Sequence, residues 1–335
     1  MMKITEFISF WLKNSRAFAL GQSLWAGVLA CCVACTYPQF NLFYAVLAVV
    51  GVMLAHLSAN LLDDYFDYVT GDVKNRDTIQ DGARDDKCIA IKSGQATAKQ
   101  FFICAAVFGL IALAIGYYLF LKRGLPVLVL ALAGAILSYF YSAPPLKLSF
   151  NGLGDIVIGL MFGPLLMNGV FYCAAGTLSL QLLLLSFAIG ALVTNIVYVH
   201  SIMDVELDLK CGKKTLAGIL PGSKFRFVVF LLFALYPYWI VTVGVCRYHM
   251  PKLAAAVFLT LYMTVILIKF MWENITGSEK KHTPKFWLGP MENWDIIEKN
   301  GVDWFYIRWL LARNITVFFC IILCVVYIMS KFNLA

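Results

Sequence analysis

The segment from His200 to Leu216, HSIMDVELDLKCGKKTL, contains the residue types that are best suited to chemistry. It ends a long apolar run and places Asp204 and Asp208 four residues apart, on one face of any helix that continues from that run. Mg²⁺ is usually held by one or two carboxylates and completes its shell with phosphate oxygens and water. Because lysines follow directly, the segment favours a magnesium ion with a polyphosphate. The alternative is an ordinary acidic helix end with a basic loop behind it.

A second segment of the same kind lies nearer the N-terminus. The run from Asp63 to Asp72 also follows a long apolar stretch and is also followed by basic residues. Two such segments at matching ends of apolar runs predict the two walls of one site. The candidate metal ligands are Asp63, Asp64, Asp67, Asp204 and Asp208, and the candidate catalytic residues are Asp67, Asp72, Asp204 and Asp208.

Composition places both segments in a membrane protein. Of the 335 residues, 61% are hydrophobic and only 14% are charged, whereas soluble proteins carry roughly a quarter charged residues. The net charge of +8 lies mainly between the apolar runs. The positive-inside rule explains this charge, so no nucleic-acid partner is expected. The ten cysteines show no metal-binding spacing, which predicts reduced thiols that behave as small buried hydrophobes.

Nine segments are long enough to cross a membrane as helices, which takes about 20 apolar residues each. They predict an all-α fold, a polytopic membrane bundle of about nine transmembrane helices around a central cavity, in one domain of residues 1–335. The predicted spans are residues 17–35, 42–62, 98–121, 124–141, 153–173, 180–203, 226–246, 252–272 and 306–329.

The distribution of lysine and arginine sets the expected orientation, with the N-terminus and the active site in the cytoplasm and the C-terminus outside. Residues 1–16 are amphipathic and are expected to lie at the membrane interface. The cytoplasmic segments are then two Asp-rich loops, 63–97 and 204–225, and a tryptophan-containing interfacial loop, 273–305. That last loop is expected to be either a flap beside the site entrance or a plain connector.

A proline-rich turn leads into the fifth span. Pro144 and Pro145 hold the chain extended, and Phe162-Gly163-Pro164 interrupts the span that follows. Glycine and proline inside a span are tolerated where neighbours or a cavity satisfy the freed backbone groups, so the span is expected to line a pocket. A kinked packing helix is the alternative, and the acidic residue that opens the span could simply cap it. The candidate pocket residues are Tyr139, Tyr141, Asp155, Phe162 and Tyr198.

Taken together, these motifs resemble the UbiA superfamily of intramembrane aromatic prenyltransferases. The resemblance covers nearly the whole chain and rests on the two Asp-rich segments, the second running into GKKTLA, and on the turn from Tyr141 to Pro145. The sequences GLGD and FGP, with the closing run from Arg308 to Asn314, are most similar to the branch that prenylates 1,4-dihydroxy-2-naphthoate in menaquinone synthesis. The resemblance to that branch implies a bacterial inner membrane.

Three positions depart from the family pattern. Asp63 and His200 stand where the family usually has asparagine, and Met203 stands where the second motif usually has arginine. Asn60, one turn before Asp63, is a candidate to replace the missing amide. The candidate diphosphate-binding residues are Asn60, Lys74, Arg76, Lys147, His200, Lys213 and Lys214.

The resemblance implies an enzyme that transfers a polyprenyl group from an allylic polyprenyl diphosphate to an aromatic acceptor, with Mg²⁺, or else Mn²⁺, as cofactor. The expected acceptor is 1,4-dihydroxy-2-naphthoate, which would lose CO₂. Other acceptors are 4-hydroxybenzoate, homogentisate or a glycerol-phosphate lipid. Outside the enzyme class, the alternatives are a transporter and a non-catalytic isoprenoid-binding membrane protein.

Overall fold

The computed structural model describes residues 4–71, 88–278 and 280–334 of the chain. The regular secondary structure of this described part is helical, apart from one isolated β-bridge between Asn151 and Lys214. An N-terminal helix, α1 (Ile4–Asn14), precedes nine helices that are long and apolar enough to cross a membrane. These nine are α2 (Ala17–Ala34), α3 (Leu42–Val69), α4 (Ala98–Arg123), α5 (Leu125–Ser142), α6 (Gly154–Ala175), α7 (Leu180–Met203), α8 (Gly222–Arg247), α9 (Lys252–Ile275) and α10 (Asp303–Lys331).

The nine predicted spans are confirmed, but one boundary matters for the site. The second span was predicted to end at residue 62, and α3 continues to Val69. Nothing in this stretch breaks a helix before Gly71, which has a φ of 82°. Aromatic residues also support the extension, since Phe66 packs edge-to-face on Tyr139 of α5. The first aspartates therefore lie on a helix and not in a loop.

Helix α7 lies at the centre of the bundle. It packs against α6, α8 and α10, and its side chains are the most buried of the nine spans. After α7, the chain makes two short helical turns, Val205–Lys210 and Leu216–Ile219, before α8 begins at Gly222. The predicted loop 204–225 is thus partly helical.

A π-helical turn, Met161–Leu165, interrupts α6 where the sequence predicted a break. Pro164 lies inside it and supplies no backbone N–H, which prevents regular hydrogen bonding at that point. Glycines let the backbones of α6 and α7 touch beside this turn. A Cβ atom on Gly163 would lie 2.3 Å from the Ser186 carbonyl oxygen, and one on Gly190 would lie 2.6 Å from the Gly159 carbonyl oxygen.

Helix α1 is anchored through one face. Trp11 is 8% exposed and packs edge-to-face against Phe101 of α4. Phe7, Ile8 and Leu12 of the same helix are exposed. Exposed apolar side chains beside a buried anchor fit the interfacial position that the sequence predicted for residues 1–16.

The segment between α9 and α10 is fastened to its neighbours in its described part. The Asn314 side-chain amide donates to the carbonyl oxygens of Leu288 (2.9 Å) and Pro290 (3.0 Å). Tyr262 donates to the Trp287 carbonyl oxygen. These bonds run from two spanning helices to one short stretch, so the contacts favour a fixed connector over a flap.

The contact between α6 and α7 can be tested by adding one methyl group. Gly163→Ala should lower the stability by about 1–3 kcal/mol, because its Cβ meets backbone atoms that cannot move aside. Gly169→Ala, in the same helix, is the matched control, since a Cβ there meets nothing within 4 Å. Thermal unfolding in detergent measures both variants. Equal melting temperatures for the two would contradict the close contact.

Candidate active site

Both acidic motifs lie at the same end of the bundle. Helices α3 and α7 are the second and sixth of the nine candidate spans, so both run in the same direction if each span crosses once. Asp63, Asp64 and Asp67 occupy the last turns of α3, and Asp204 follows the last residue of α7. Helix α6 packs against both α3 and α7 and so links the two motifs.

The carboxylates of the first motif are buried, and two of them contact Arg16. Asp63, Asp64 and Asp67 are 9%, 5% and 4% exposed. An Arg16 Nη atom donates to Asp63 Oδ2 at 2.8 Å and also to Asp64. The hydroxyl of Ser142, the last residue of α5, donates to the other oxygen of Asp63. The N-terminus, α3 and α5 therefore meet at this motif.

Arg16 lies at the bend between α1 and α2, in the left-handed backbone region with a φ of 55°. That conformation is uncommon for a non-glycine residue, and here it directs the side chain towards α3. Burial alone would lower the pKa of Arg16, but the charges of Asp64 and Asp63 outweigh burial, so the pKa is raised. The guanidinium is therefore a permanent positive charge at the first motif.

The backbone of the same bend is also bound to α3. The Asn60 side-chain amide donates to the Ser15 carbonyl oxygen at 2.9 Å, and Arg16 donates to the Asn60 carbonyl oxygen at 3.3 Å. Asn60 was predicted to contact diphosphate. Its amide nitrogen holds the N-terminal bend against α3.

The two aspartates of the second motif lie on consecutive helical turns, as their spacing predicted. The Asp208 N–H donates to the Asp204 carbonyl oxygen at 2.8 Å, so the two residues are one helical turn apart. Both side chains are buried, at 4% and 3% exposed. His200 is one turn earlier and half-buried, and its carbonyl oxygen accepts from the Asp204 N–H at 2.8 Å.

Two of the predicted diphosphate-binding lysines come together around one aromatic ring. Lys147 Nζ is 5.1 Å and Lys213 Nζ is 5.8 Å from the centre of the Phe150 ring. The main chains of the two loops are joined as well, because Lys214 N–H donates to the Phe150 carbonyl oxygen at 3.1 Å. The Lys214 side chain is exposed.

Asp155 connects residues 210–215, which carry three lysines and are called the lysine loop, to the second motif. One carboxylate oxygen accepts from the Ser201 hydroxyl and the other from the Leu216 N–H, both at 3.1 Å. Ser201 lies in the last turn of α7, and Leu216 begins the short helix that follows the lysines. Asp155 was predicted to line the pocket, with a helix cap as the alternative, and its carboxylate oxygens bridge two other segments.

The predicted aromatic pocket residues do not form one group. Tyr198 is fully buried, packs on Phe233 and donates to the Arg226 carbonyl oxygen at 3.1 Å, so it faces α8. Tyr139 is 46% exposed, and Tyr141 is half-buried. Phe162, in the π-helical turn, faces the inside of the bundle and contacts the ring of His56.

Sequence reasoning missed four polar residues inside or at the end of the bundle: Arg16, Ser23, His56 and Ser142. The Ser23 hydroxyl is hydrogen-bonded to Nδ1 of His56. The signal that could have found His56 is its spacing, since it precedes Asn60 by four residues and Asp63 by seven, on the same helix face.

Three predicted site residues, Asp72, Lys74 and Arg76, lie outside the residues that the structure describes. Within the described residues, no group of three or more histidine, cysteine, aspartate or glutamate side chains is arranged to hold a metal ion.

Comparison with known proteins identifies relatives of this chain. The sequence pattern of the UbiA prenyltransferase family matches residues 23–289. The 2-carboxy-1,4-naphthoquinone phytyltransferase of a Synechocystis species is 28% identical over 68% of this chain and 70% of its own length. The 1,4-dihydroxy-2-naphthoate octaprenyltransferase of Bacillus subtilis is 24% identical over 63% of this chain and 65% of its own length. The aligned part is thus about two thirds of each relative.

Solved structures share the fold. A UbiA homolog from Aeropyrum pernix has a TM-score of 0.62 at 17% identity, covering 92% of this chain and 98% of its own. A UbiA homolog from Archaeoglobus fulgidus, bound to GPP and Mg²⁺, has a TM-score of 0.55 at 15% identity, covering 89% and 97%. At these identities the likeness concerns the arrangement of helices.

The role of Arg16 as counter-charge can be tested by Arg16→Gln. The variant should melt at a lower temperature in chelator, because two buried carboxylates lose a cationic partner. We expect a loss below the roughly 3–5 kcal/mol of a fully buried broken pair, since the Arg16 side chain is 27% exposed. Adding Mg²⁺ should raise the melting temperature more in the variant than in the wild type. Lys13→Gln, at an exposed position, is the control. An Arg16→Gln variant that melts like the wild type would contradict this role.

Proposed function

Since this chain belongs to the UbiA prenyltransferase family, we propose that it transfers a polyprenyl group from an allylic polyprenyl diphosphate to an aromatic acceptor. The observation that carries the proposal is the pair of buried acidic motifs at one end of the bundle, with lysines beside the second motif. Carboxylates buried in this way need cations nearby, and a magnesium diphosphate brings them.

The donor set fits Mg²⁺. Its members are carboxylate oxygens, which Mg²⁺ prefers, and Asp63 and Asp64 already bind a cationic group in Arg16. We propose that each motif would hold a magnesium ion through two carboxylates, Asp67 with Asp63 or Asp64 in the first motif and Asp204 with Asp208 in the second. When bound, Mg²⁺ supplies neutralisation of the charge that grows on the departing diphosphate.

Positively charged side chains of the chain would bind the diphosphate itself. Lys147 and Lys213 flank Phe150, and preorganised cations of this kind stabilise a leaving group. Asp155 fixes the end of the lysine loop by accepting a hydrogen bond from the Leu216 N–H. This end of the loop is therefore held in place without substrate. Arg16 adds a third cation on the side of the first motif.

The apolar wall of the bundle would protect the reaction from water. An allylic cation is captured by any water in reach, so the transfer needs a dry site. Phe162 and Tyr141 are the aromatic residues that we assign to this wall. Tyr198 supports it from behind, against α8, and Tyr139 is more exposed at the end of α5.

We further propose 1,4-dihydroxy-2-naphthoate as the acceptor, with loss of CO₂. Two relatives support this choice by what their names state, a naphthoquinone phytyltransferase and a dihydroxynaphthoate octaprenyltransferase. An electron-rich ring carbon bonds to the allylic carbon, and the carboxylate on that ring carbon then leaves as CO₂. The alternative acceptors are 4-hydroxybenzoate, homogentisate and a glycerol-phosphate lipid, and an assay with all four separates them.

The protein is an integral membrane protein with nine candidate spans in its described residues. We propose that the acidic end of the bundle faces the cytoplasm, because lysine and arginine are concentrated in the segments at that end. The C-terminus would then lie outside, since an odd number of spans separates it from the N-terminus. A bacterial inner membrane is the proposed location.

Turnover tests the acidic motifs directly. Purified protein with a polyprenyl diphosphate and each acceptor should form product only with Mg²⁺ or Mn²⁺ present. Asp67→Ala and Asp204→Ala should each reduce kcat by a hundredfold or more, on the order of 3 kcal/mol in the transition state. Asp295→Ala, at an exposed position, is the control. Robust turnover by either motif variant would remove the assigned roles.

Replacing either lysine beside the Phe150 ring tests the proposed diphosphate contacts separately. Lys147→Gln and Lys213→Gln should each raise KM for the polyprenyl diphosphate roughly tenfold, as expected for losing one charged contact. KM for the aromatic acceptor should not change. Lys210→Gln removes an exposed lysine of the same loop and should leave both values as in the wild type. A rise confined to the acceptor KM would show that these lysines serve the other substrate.

A further inference from the structure

An imidazole inside the bundle is not explained by the acidic motifs. His56 lies in the middle of α3, four residues before Asn60 and seven before Asp63. At 1.5 Å per residue it is about 6 Å and about 10 Å deeper along the helix than these residues. Seven residues make almost two full turns, so His56 and Asp63 share a face. His56 therefore lies below the acidic end, towards the membrane interior.

The surroundings of His56 hold the ring in one orientation. The Ser23 side chain is 1% exposed, and its hydroxyl is hydrogen-bonded to Nδ1. The ring of Phe162 meets the imidazole edge-to-face, with 4.9 Å between ring centres and 78° between planes. Phe162 lies in the π-helical turn, a kind of distortion that is frequent at functional sites. Three helices, α2, α3 and α6, thus fix a single side chain.

The hydrogen bond to Ser23 uses Nδ1 and leaves Nε2 for a ligand. Among the residues that the structure describes, Ser23 is the hydrogen-bond partner of this ring. A polar group at membrane depth is costly and usually marks a functional position. An imidazole nitrogen next to an aromatic face suits a flat ring that carries a hydroxyl group, because one feature binds the hydroxyl and the other binds the ring.

We propose that His56 binds the hydroxyl group of the aromatic acceptor through Nε2 and takes its proton during prenyl transfer. The inference rests on the proposed function for its chemistry. The acceptor would lie against Phe162, below the diphosphate, and its reacting carbon would face the allylic carbon from the membrane side. Ser23 is a positioning residue, since it acts by orienting the imidazole.

The proton and the electrons balance in this scheme. The hydroxyl proton moves to Nε2, and the oxygen lone pair drives a ring carbon to bond with the allylic carbon. The bond from that allylic carbon to oxygen breaks, and its electron pair leaves with the diphosphate. Loss of CO₂ then returns an electron pair to the ring oxygen, which takes the proton back from His56. The imidazole ends neutral and needs no external base.

A binding comparison tests His56 without relying on turnover. The probes are 1-hydroxy-2-naphthoate and its 1-methoxy analogue, with Kd measured for wild type, His56→Phe and His56→Gln. Wild type should prefer the hydroxy probe, and His56→Phe should lose roughly tenfold in affinity for it while binding the methoxy probe unchanged. His56→Gln should retain most of the affinity but lose product formation. His249→Asn, an exposed histidine at the other end of the bundle, is the control.

The two probes separate this inference from the proposed function. If the wild type forms prenylated product but His56→Phe keeps the preference for the hydroxy probe, the assignment of His56 is wrong and the proposed function is retained. If the wild type forms no product but His56→Phe loses the preference for the hydroxy probe, the binding site at His56 is retained and the proposed reaction is wrong. Should His56→Phe fail to fold, Ser23→Ala takes its place, and an unchanged preference in that variant overturns the assignment.

Discussion

The site depends on how buried negative charge is balanced at one end of a helical bundle. Asp63, Asp64 and Asp67 are each less than a tenth exposed, and an uncompensated charge in such surroundings costs several kcal/mol. Arg16 meets this demand from outside the helix that carries the aspartates. The electrostatic requirement of one motif therefore fixes where the N-terminal bend must lie. It also explains an uncommon backbone conformation at Arg16, which the chain tolerates because the guanidinium has a fixed destination.

Helix α6 connects this charged end to the apolar interior. Its first turn carries Asp155, which ties the lysine loop to the end of α7. Its π-helical turn presents Phe162 to His56, and its glycines allow backbone contact with α7. A single span thus sets the position of the second motif and the shape of the interior below it. The glycine contact leaves no space for an added carbon. The position of the second motif and the shape of the interior are therefore coupled.

The sequence predicted the architecture well, because span length and apolar composition are local properties. The nine helices and the break at Pro164 were found in this way. The predicted end of α3 was too early, because a run of aspartates favours a loop whereas aromatic packing continues the helix past it. Arg16 was missed for a different reason. Its partners are 47 and 48 residues away, and no local pattern records such a pairing.

For single pocket residues, too, the sequence does not give the direction in which a side chain packs. Tyr198 and Phe162 are both aromatic residues in predicted spans, and composition does not distinguish them. Only the packing of helices sends Tyr198 towards α8 and Phe162 towards α3. His56 had a usable signal, because it shares a helical face with Asn60 and Asp63, but a lone histidine in an apolar run is easily read as core.

Formal charges then give an order to the binding events. Under the proposed function, Asp63, Asp64 and Asp67 would attract a cation, and a diphosphate would approach them together with its counter-ions. A cation at these carboxylates would compete with Arg16, and the displaced guanidinium would be suited to bind phosphate oxygens. In the proposed reaction each ligand would then favour binding of the other, and such a coupling is reciprocal. Arg16 contacts the buried carboxylates of Asp63 and Asp64, and it would thereby make binding of the diphosphate depend on its counter-ions.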